Sequence, residues 1–377
     1  MASRILITGG AGFIGSHLAD ELLRAGYRVR VLDSLSPQVH GAVDGPTHRP
    51  AYLAKRVELI RGDVRDPAAV RLALLDVDAV FHLAAAVGVG QSMYELVHYT
   101  STNSLGTAVL LEALLERPVA ALIVASSMSL YGEGRYLTQA GAVIDDVCRT
   151  RQQLERGEWE PRDADGEALQ ATPTPEHKPP NLASVYALNK YDQERMCLLI
   201  GEAYGIKTAA LRLFNVYGPR QALSNPYTGV LAIFAARLLN DRAPIVFEDG
   251  EQRRDFVHVH DVARAFRLAL ELDAAAGQTF NIGSGRSFTI REIARRVATA
   301  LGKSGREPQI TGEYRVGDIR HCFADISRAR RLLGYSPSVE FEDGLAELAA
   351  WLRGQAADDK IERMRSELAS RGLTLSR

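Results

Sequence analysis

Cysteine is scarce. Cys148, Cys197 and Cys322 are the only three among 377 residues, and none belongs to a Cys-x-x-Cys pair. An odd, scattered set suits neither a disulfide framework nor a zinc site and points to a reducing compartment. An excess of charge is also lacking: 45 Lys and Arg stand against 46 Asp and Glu, for a formal net charge of −1 at pH 7. A nucleic-acid partner calls for a clustered positive field, which such interleaved charges do not provide. No apolar run approaches the roughly 20 residues that a membrane helix needs. The N-terminal "MASRILITGGAGFIG" is apolar, but glycines interrupt it and no small-residue cleavage site follows an unbroken apolar run. A signal peptide is not expected. These absences leave a soluble, cytoplasmic protein with no nucleic-acid or membrane partner. Its length suffices for one large domain or two.

What is present in the first half is alternation. "RILIT" (4–8), "RVRVLD" (28–33), "VELIRGD" (57–63), "DAVFHLAA" (78–85) and "VAALIVAS" (119–126) read as strands. Helical periods fall at 13–26 and at about 104–116, then at 184–205, before a strand at 207–214. Strand and helix in series predict an α/β fold: a doubly wound parallel sheet covered by helices on both faces. Between about 134 and 180 the pattern fails, and the chain is polar and then proline-rich. This reads as a long insertion, partly ordered at most. After Gly218 the pieces shorten. Helices are expected at 229–239, 261–272, 289–301 and 343–353, and strands at 244–248, 255–259 and 278–283. The expected organisation is a dinucleotide-type domain over 1–215 and a smaller mixed α/β lobe over 216–353, some of whose segments return to the first domain. A charged segment at 354–377 reads as a helix or, more simply, as a solvated or frayed tail. No internal repeat is visible.

Within "ITGGAGFIGSHL", Gly9, Gly12 and Gly15 lie between the first strand and the first helix, and the second strand ends in Asp33. Glycines permit a tight turn and close approach of a ligand to the backbone. The helix N-terminus then offers free N–H groups and a positive dipole end to a pyrophosphate. Asp33 can accept hydrogen bonds from a ribose diol and would repel a 2′-phosphate, which favours NAD over NADP. Asp63 ends the third strand, where it meets an adenine edge or is simply a strand-ending aspartate. The small residues of "HLAAAVG" (82–88) leave room for a flat ligand, or pack.

"SVYALNKY" places Tyr186 and Lys190 at (i, i+4), on one face if the segment is helical. Such a pair is either one turn of an ordinary helix or a base with the cation that activates it. A free phenol titrates near pH ~10. A neighbouring ammonium and an oxidised nicotinamide would favour the phenolate and allow proton exchange with a substrate hydroxyl. Ser126 and Ser127 end the strand expected alongside, and either hydroxyl could meet the same substrate oxygen.

With "GDVRD", "NSLGT", "SSMSLYG", "LRLFNVYGPR", "DGEQRRDFVHVHDVA", "FNIGSG" and "RVGDIRHCFAD", the chain resembles, over nearly its whole length, the nucleotide-sugar epimerase/dehydratase branch of the extended short-chain dehydrogenase/reductase superfamily. The resemblance implies NAD as cofactor, held by Gly9, Gly12, Phe13, Ile14 and Gly15 at the turn. Asp33, Asp63 and Val64 would follow, then Leu83, Ala84, Ala85 and Asn103, with Tyr186 and Lys190 at the nicotinamide end. Tyr186 would be the general acid/base, Lys190 would lower its pKa, and Ser127 would hold the reacting hydroxyl. Ser127, Met128 and Asn215 would contact the sugar nucleotide, and Arg254 and Arg315 its diphosphate, since guanidinium forks suit phosphate oxygens. Arg253 competes with Arg254, and the register of "RDF" favours Arg254. "HVH" (258–260) reads as alternating strand positions with no converging third ligand, hence structural histidines and no metal.

The branch shares a first step, oxidation of a sugar carbon, usually C4, with loss of the hydroxyl proton to the tyrosine. Its dehydratases carry an acidic pair after the catalytic hydroxyl residue. Here Met128 and Ser129 stand in those places, which argues against elimination. "VGVGQSMYELVHY" and the insertion resemble the dTDP-L-rhamnose 4-epimerase-like subgroup. Several members carry cysteine pairs in that insertion, whereas this chain has only Cys148 there, so no zinc ribbon is expected. The implied activity is an NAD-dependent nucleotide-sugar 4-epimerase, with the insertion as a cap over the sugar pocket. The alternatives are a UDP-sugar 4-epimerase, a net oxidoreductase or synthase on nucleotide sugars, and a non-catalytic NAD-binding protein. The resemblance also implies a homodimer, paired through the helices after Ser104 and Ser184.

Overall fold

A computed structural model of the protein describes residues 3–41, 48–223, 225, 227, 229–315, 317–355 and 357–375. Residues 356, 376 and 377 of the expected C-terminal tail lie outside the described residues. At the centre is a seven-stranded sheet, in the order Gln278–Ile282, Lys207–Leu213, Ala121–Ser127, Ala79–His82, Arg4–Thr8, Arg28–Asp33, Glu58–Arg61. All its neighbouring pairs are parallel. Side chains alternate across it: Ile5, Ile7, Val29 and Val31 enter one core, and Leu6, Leu32, Val80 and Leu122 the other. Both faces are covered by helices, which is why the strands read as continuous apolar runs. The Phe13–Arg24 helix packs on Val259–Glu271 on one face, and Gly106–Glu116 on Val185–Tyr204 on the other. The edge strand Gln278–Ile282 comes from the C-terminal half, so that half does return to the main sheet.

Strand order reverses at Arg4–Thr8, whose neighbours are the second strand on one side and Ala79–His82 on the other. The loops leaving these two carboxyl ends diverge and open the crevice in which doubly wound folds bind ligands. The smaller lobe packs its own core around Phe234, Leu238, Val297, Phe341 and Leu348.

Two expectations about order fail. The 134–180 insertion is built: Arg135–Leu137 pairs antiparallel with both Val143–Ile144 and Gln170–Thr172, over a small core of Tyr136, Val147 and Leu169. Its polar residues are paired with distant ones rather than solvated. Arg149 meets Glu248 at 2.8 Å and Glu133 at 3.2 Å, and Arg320 meets Glu160 at 2.5 Å, Asp249 at 2.6 Å and Glu248 at 3.0 Å. The C-terminal segment is not a frayed tail. Its helix Ile361–Ser370 buries Ile361, Met364 and Leu368, and Thr374–Leu375 pairs antiparallel with Tyr314–Arg315.

Candidate active site

The turn after the first strand is as tight as its glycines imply. Gly9 has φ +68°, and a Cβ there would stand 2.8 Å from the backbone of Ala84; one on Gly15 would stand 2.5 Å from Gly10 Cα. Asp33 Oδ2 accepts from Ala11 N and Oδ1 from Leu35 N, both at 2.9 Å, so the carboxylate is held against the turn. Asp63 is paired with Arg65 at 2.6 Å, and the Arg65 hydrogen bonds hold its carboxyl below the usual carboxylate value.

These groups open onto one cavity of about 690 Å³. Its wall includes Gly9, Gly12, Phe13, Ile14, Gly15, Asp33, Asp63, Val64, Leu83, Ala84 and Ala85. The same wall includes Ser127, Met128, Tyr186, Lys190, Asn215, Arg254 and Arg315. Asn103 is the expected residue that does not reach it. Fully buried, Asn103 accepts from Ala86 N at 2.7 Å and donates to Ala86 O at 3.1 Å, pinning the loop that forms the wall.

Tyr186 lies in the first turn of the Val185–Tyr204 helix, which Ser184 caps by accepting from Ala187 N at 3.1 Å and Gly205 ends in the left-handed region. Its own N–H donates to Ser92 Oγ at 3.0 Å. Burial pushes the Tyr186 phenol above its ordinary value, while a hydrogen bond with Ser127 pulls it down. Lys190 lies one turn on, with Nζ donating to Gln193 Oε1 at 2.7 Å, and burial lowers it to about 8. Both groups are desolvated, and burial disfavours the charged form of each.

The two candidate serines separate. Ser126 Oγ donates to Glu194 Oε2 at 2.6 Å, and Glu194 is also held by Arg212 at 2.6 Å in the core. Ser127 is the one whose hydroxyl acts on the Tyr186 phenol, and its Oγ lies 2.7 Å from Ser129 Oγ.

At the other end, Arg254 donates to the carbonyls of Arg253 and Arg320 at 2.9 Å and to Ile319 O, while Arg253 is exposed. Arg315 bonds Asp318 at 2.8 Å, and Arg254 stands 3.8 Å from the same carboxylate. Burial pushes Asp318 up, but Arg315 and Arg254 outweigh it and hold the carboxyl below its ordinary value. Asn215 Nδ2 donates to Asp255 O at 3.0 Å and to Met128 Sδ at 3.4 Å.

Several contributors escaped the sequence reading. Gln193 bonds Thr107 at 2.8 Å, and His82 links Thr107 and Thr8 at 2.8 Å each, so a buried polar chain runs from Lys190 to the first strand. Burial, with the Lys190 charge adding to it, lowers His82 to about 3 and keeps it neutral. Asp318 stood inside the quoted "RVGD", but its pairing with two arginines is visible only in three dimensions. No residue of 134–180 lines the cavity among those described; Met364 and Leu368 of the C-terminal helix do. The expectation for "HVH" also needs correction. His258 ends a strand, His260 opens a helix, and Glu347 does converge on them, 3.5 Å from His258 Nε2 and 3.7 Å from His260 Nε2. The strand ends between the two histidines, which brings both to one side.

The chain matches the NAD dependent epimerase/dehydratase family over residues 5–156 and 157–283. It belongs to that family. It is 36% identical to a dTDP-L-rhamnose 4-epimerase of Burkholderia thailandensis, covering 93% of this chain and 94% of the relative. It is 32% identical to a UDP-glucose 4-epimerase of Mycolicibacterium smegmatis, covering 94% and 99%. Among solved structures, a Thermus thermophilus UDP-glucose 4-epimerase in complex with NAD superposes with a TM-score of 0.73 at 31% identity, over 94% of this chain and all (100%) of that one. The family is NAD-dependent, and the glycine cradle with Asp33 beside it fits a dinucleotide. A side chain on Gly9 or Gly15 would fill the space against the backbone.

Proposed function

We propose that this family member is a nucleotide-sugar 4-epimerase and that dTDP-L-rhamnose is the first substrate to test. The observation that carries the reading is one cavity joining the glycine turn, the Ser127–Tyr186–Lys190 group and the arginine pair Arg254 and Arg315. Gly9, Gly12, Gly15 and Asp33 would hold NAD, with Lys190 at its nicotinamide ribose. When bound, NAD supplies the hydride acceptor and donor and a positive charge near the phenol. Ser127 orients the C4 hydroxyl, and Tyr186 takes its proton and later returns it. Arg254 and Arg315 anchor the diphosphate, so that the sugar can turn while the nucleotide stays fixed. Met128 and Ser129 bring no carboxyl to drive loss of water. Residues 1–215 carry most of the cofactor site and 216–353 the nucleotide-sugar lobe.

The test is inversion at C4, followed by proton NMR on a panel of dTDP- and UDP-sugars without added NAD. Wild type should invert one of them, and Tyr186→Phe should lower turnover by roughly 10²–10⁴-fold, the usual worth of a general acid/base. A keto sugar that accumulates only in proportion to added NAD would replace this reading with a net oxidoreductase. A UDP-sugar 4-epimerase is the second reading, favoured by the UDP-glucose 4-epimerases among its relatives. A homodimer and residence in the cytoplasm belong to the proposal. Exposed Leu188 and Leu199, along the Val185–Tyr204 helix, support the first, and three free thiols the second. No helix among the described residues is long and apolar enough to cross a membrane.

A further inference from the structure

The cavity has a further wall that no motif announced. Ile361, Met364 and Leu368 of the C-terminal helix line the same space as Tyr186. They are buried, and they pack with Ile233, Ile245, Tyr94 and Tyr227. Polar contacts lock the helix in place. Glu367 accepts from the Tyr227 hydroxyl at 2.8 Å and the Tyr94 hydroxyl at 3.3 Å, and the Arg371 guanidinium lies 4.2 Å from the centre of the Tyr94 ring. Arg365 bonds Glu313 at 2.6 Å, and Thr374 pairs with Arg315 in the terminal two-stranded sheet. The segment therefore runs alongside the arginine end of the site. It also reaches the catalytic end. A Cβ on Gly90 would stand 3.4 Å from Leu368 Cδ2, and Gly90 is two residues from Ser92, whose Oγ takes the Tyr186 N–H.

We propose that the Ile361–Leu375 segment is the cap of the sugar compartment and selects a 6-deoxy sugar over a 6-carboxylate one. This rests on the nucleotide-sugar reading of the cavity and names the substrate class within it. Leu368 packs with Tyr94, Tyr227, Ile233, Ile245 and Met364, none of them charged at neutral pH. A methyl group placed there is taken out of water at a gain, whereas a carboxylate would lose its hydration against this apolar wall. The cap expected of the insertion is thus supplied by the other end of the chain.

The test compares wild type, Leu368→Ser and Leu368→Met, using the same nucleotide linked to a 6-deoxyhexose or to the corresponding hexuronate. The serine variant should raise KM for the 6-deoxy substrate by about tenfold, the scale of a lost apolar contact in a specificity pocket. It should narrow the preference over the uronate and act on KM rather than kcat. Leu368→Met should restore wild-type KM, and NAD affinity, measured by calorimetry, should match in all three proteins. An unchanged substrate preference in Leu368→Ser overturns the proposal. So does a loss of NAD affinity parallel to the loss of substrate affinity, which would mark general unfolding. Equilibrium binding of both nucleotide sugars is measured in parallel in a Tyr186→Phe background. If wild type turns over no nucleotide sugar, the epimerase reading fails by itself. The cap then stands or falls on whether Leu368→Ser weakens binding of the 6-deoxy ligand selectively.

Discussion

Ser126 and Ser127 are adjacent and chemically identical, and the fold gives them different work. Ser126 is tied to Glu194 at 2.6 Å inside the core, and Ser127 meets Tyr186 at the cavity. Ser126→Ala should cost about 1.5–3 kcal/mol of stability, the worth of a hydrogen bond to a charged group, with little change in turnover. Ser127→Ala should lower kcat roughly 10²-fold, as loss of a donor to the reacting oxygen does, and leave the melting temperature near wild type. Steady-state kinetics and thermal unfolding of the pair separate the two roles. Lys190 carries a second prediction at this scale. Burial lowers it to about 8 from an ordinary 10.5, so the unfolded chain binds more protons between those values. Stability relative to Lys190→Met should therefore rise with pH from about 8 to about 10.5 and be flat below that window. Urea unfolding across the range checks it.

At the scale of elements, the insertion is the instructive case. Its charges look like a solvated loop when read along the chain, yet Arg149 and Glu248 are almost fully buried and bonded to each other. Arg320 gathers Glu160, Glu248 and Asp249, and its carbonyl receives Arg254, so the insertion braces one of the two arginines proposed to anchor the diphosphate. Removing Arg320 by substitution with alanine leaves Glu248 buried with part of its compensation gone. The expected loss is about 3–5 kcal/mol, measured by chemical denaturation. Glu160 gives the pH signature of the same contact. Burial works against its ionised form, but His321 and Arg320 prevail and lower it to about 2. Its contribution is fully present above the ordinary glutamate value of 4.5 and is lost as pH falls through about 2. Glu160→Gln should flatten that part of the acid-unfolding curve.

At the scale of the whole molecule, the two ends of the chain meet at one crevice. The N-terminal turn and the C-terminal helix both line the cavity. The opposite surface of the Val185–Tyr204 helix carries Leu188 and Leu199 at 51% and 54% exposure. Eleven residues apart, they lie on one stripe of the helix. In the proposed homodimer this stripe is covered by its copy. A Leu188→Glu, Leu199→Glu double variant should sediment as a monomer in analytical ultracentrifugation, where wild type sediments at twice the mass. Equal masses for the two proteins would refute this use of the helix.

The sequence by itself determined the elements whose information is local. "RILIT" and "RVRVLD" became strands at the expected residues, because buried parallel strands are apolar throughout and end in turn residues. Gly9, Gly12 and Gly15 marked the turn, Gly9 and Gly15 because a Cβ there would collide with backbone, and the Ser184 cap and Gly205 bounded the helix bearing Tyr186 and Lys190. Tertiary structure decided everything that depends on which distant groups meet. It tied Ser126 to Glu194, joined Glu347 to His258 and His260, ordered the insertion through Arg149 and Arg320, and turned an apparent tail into a wall of the pocket. A charged or amphipathic segment reads the same along the chain whether it faces water or a complementary partner. Only the folded chain supplies that partner, and with it the sign of the burial energy.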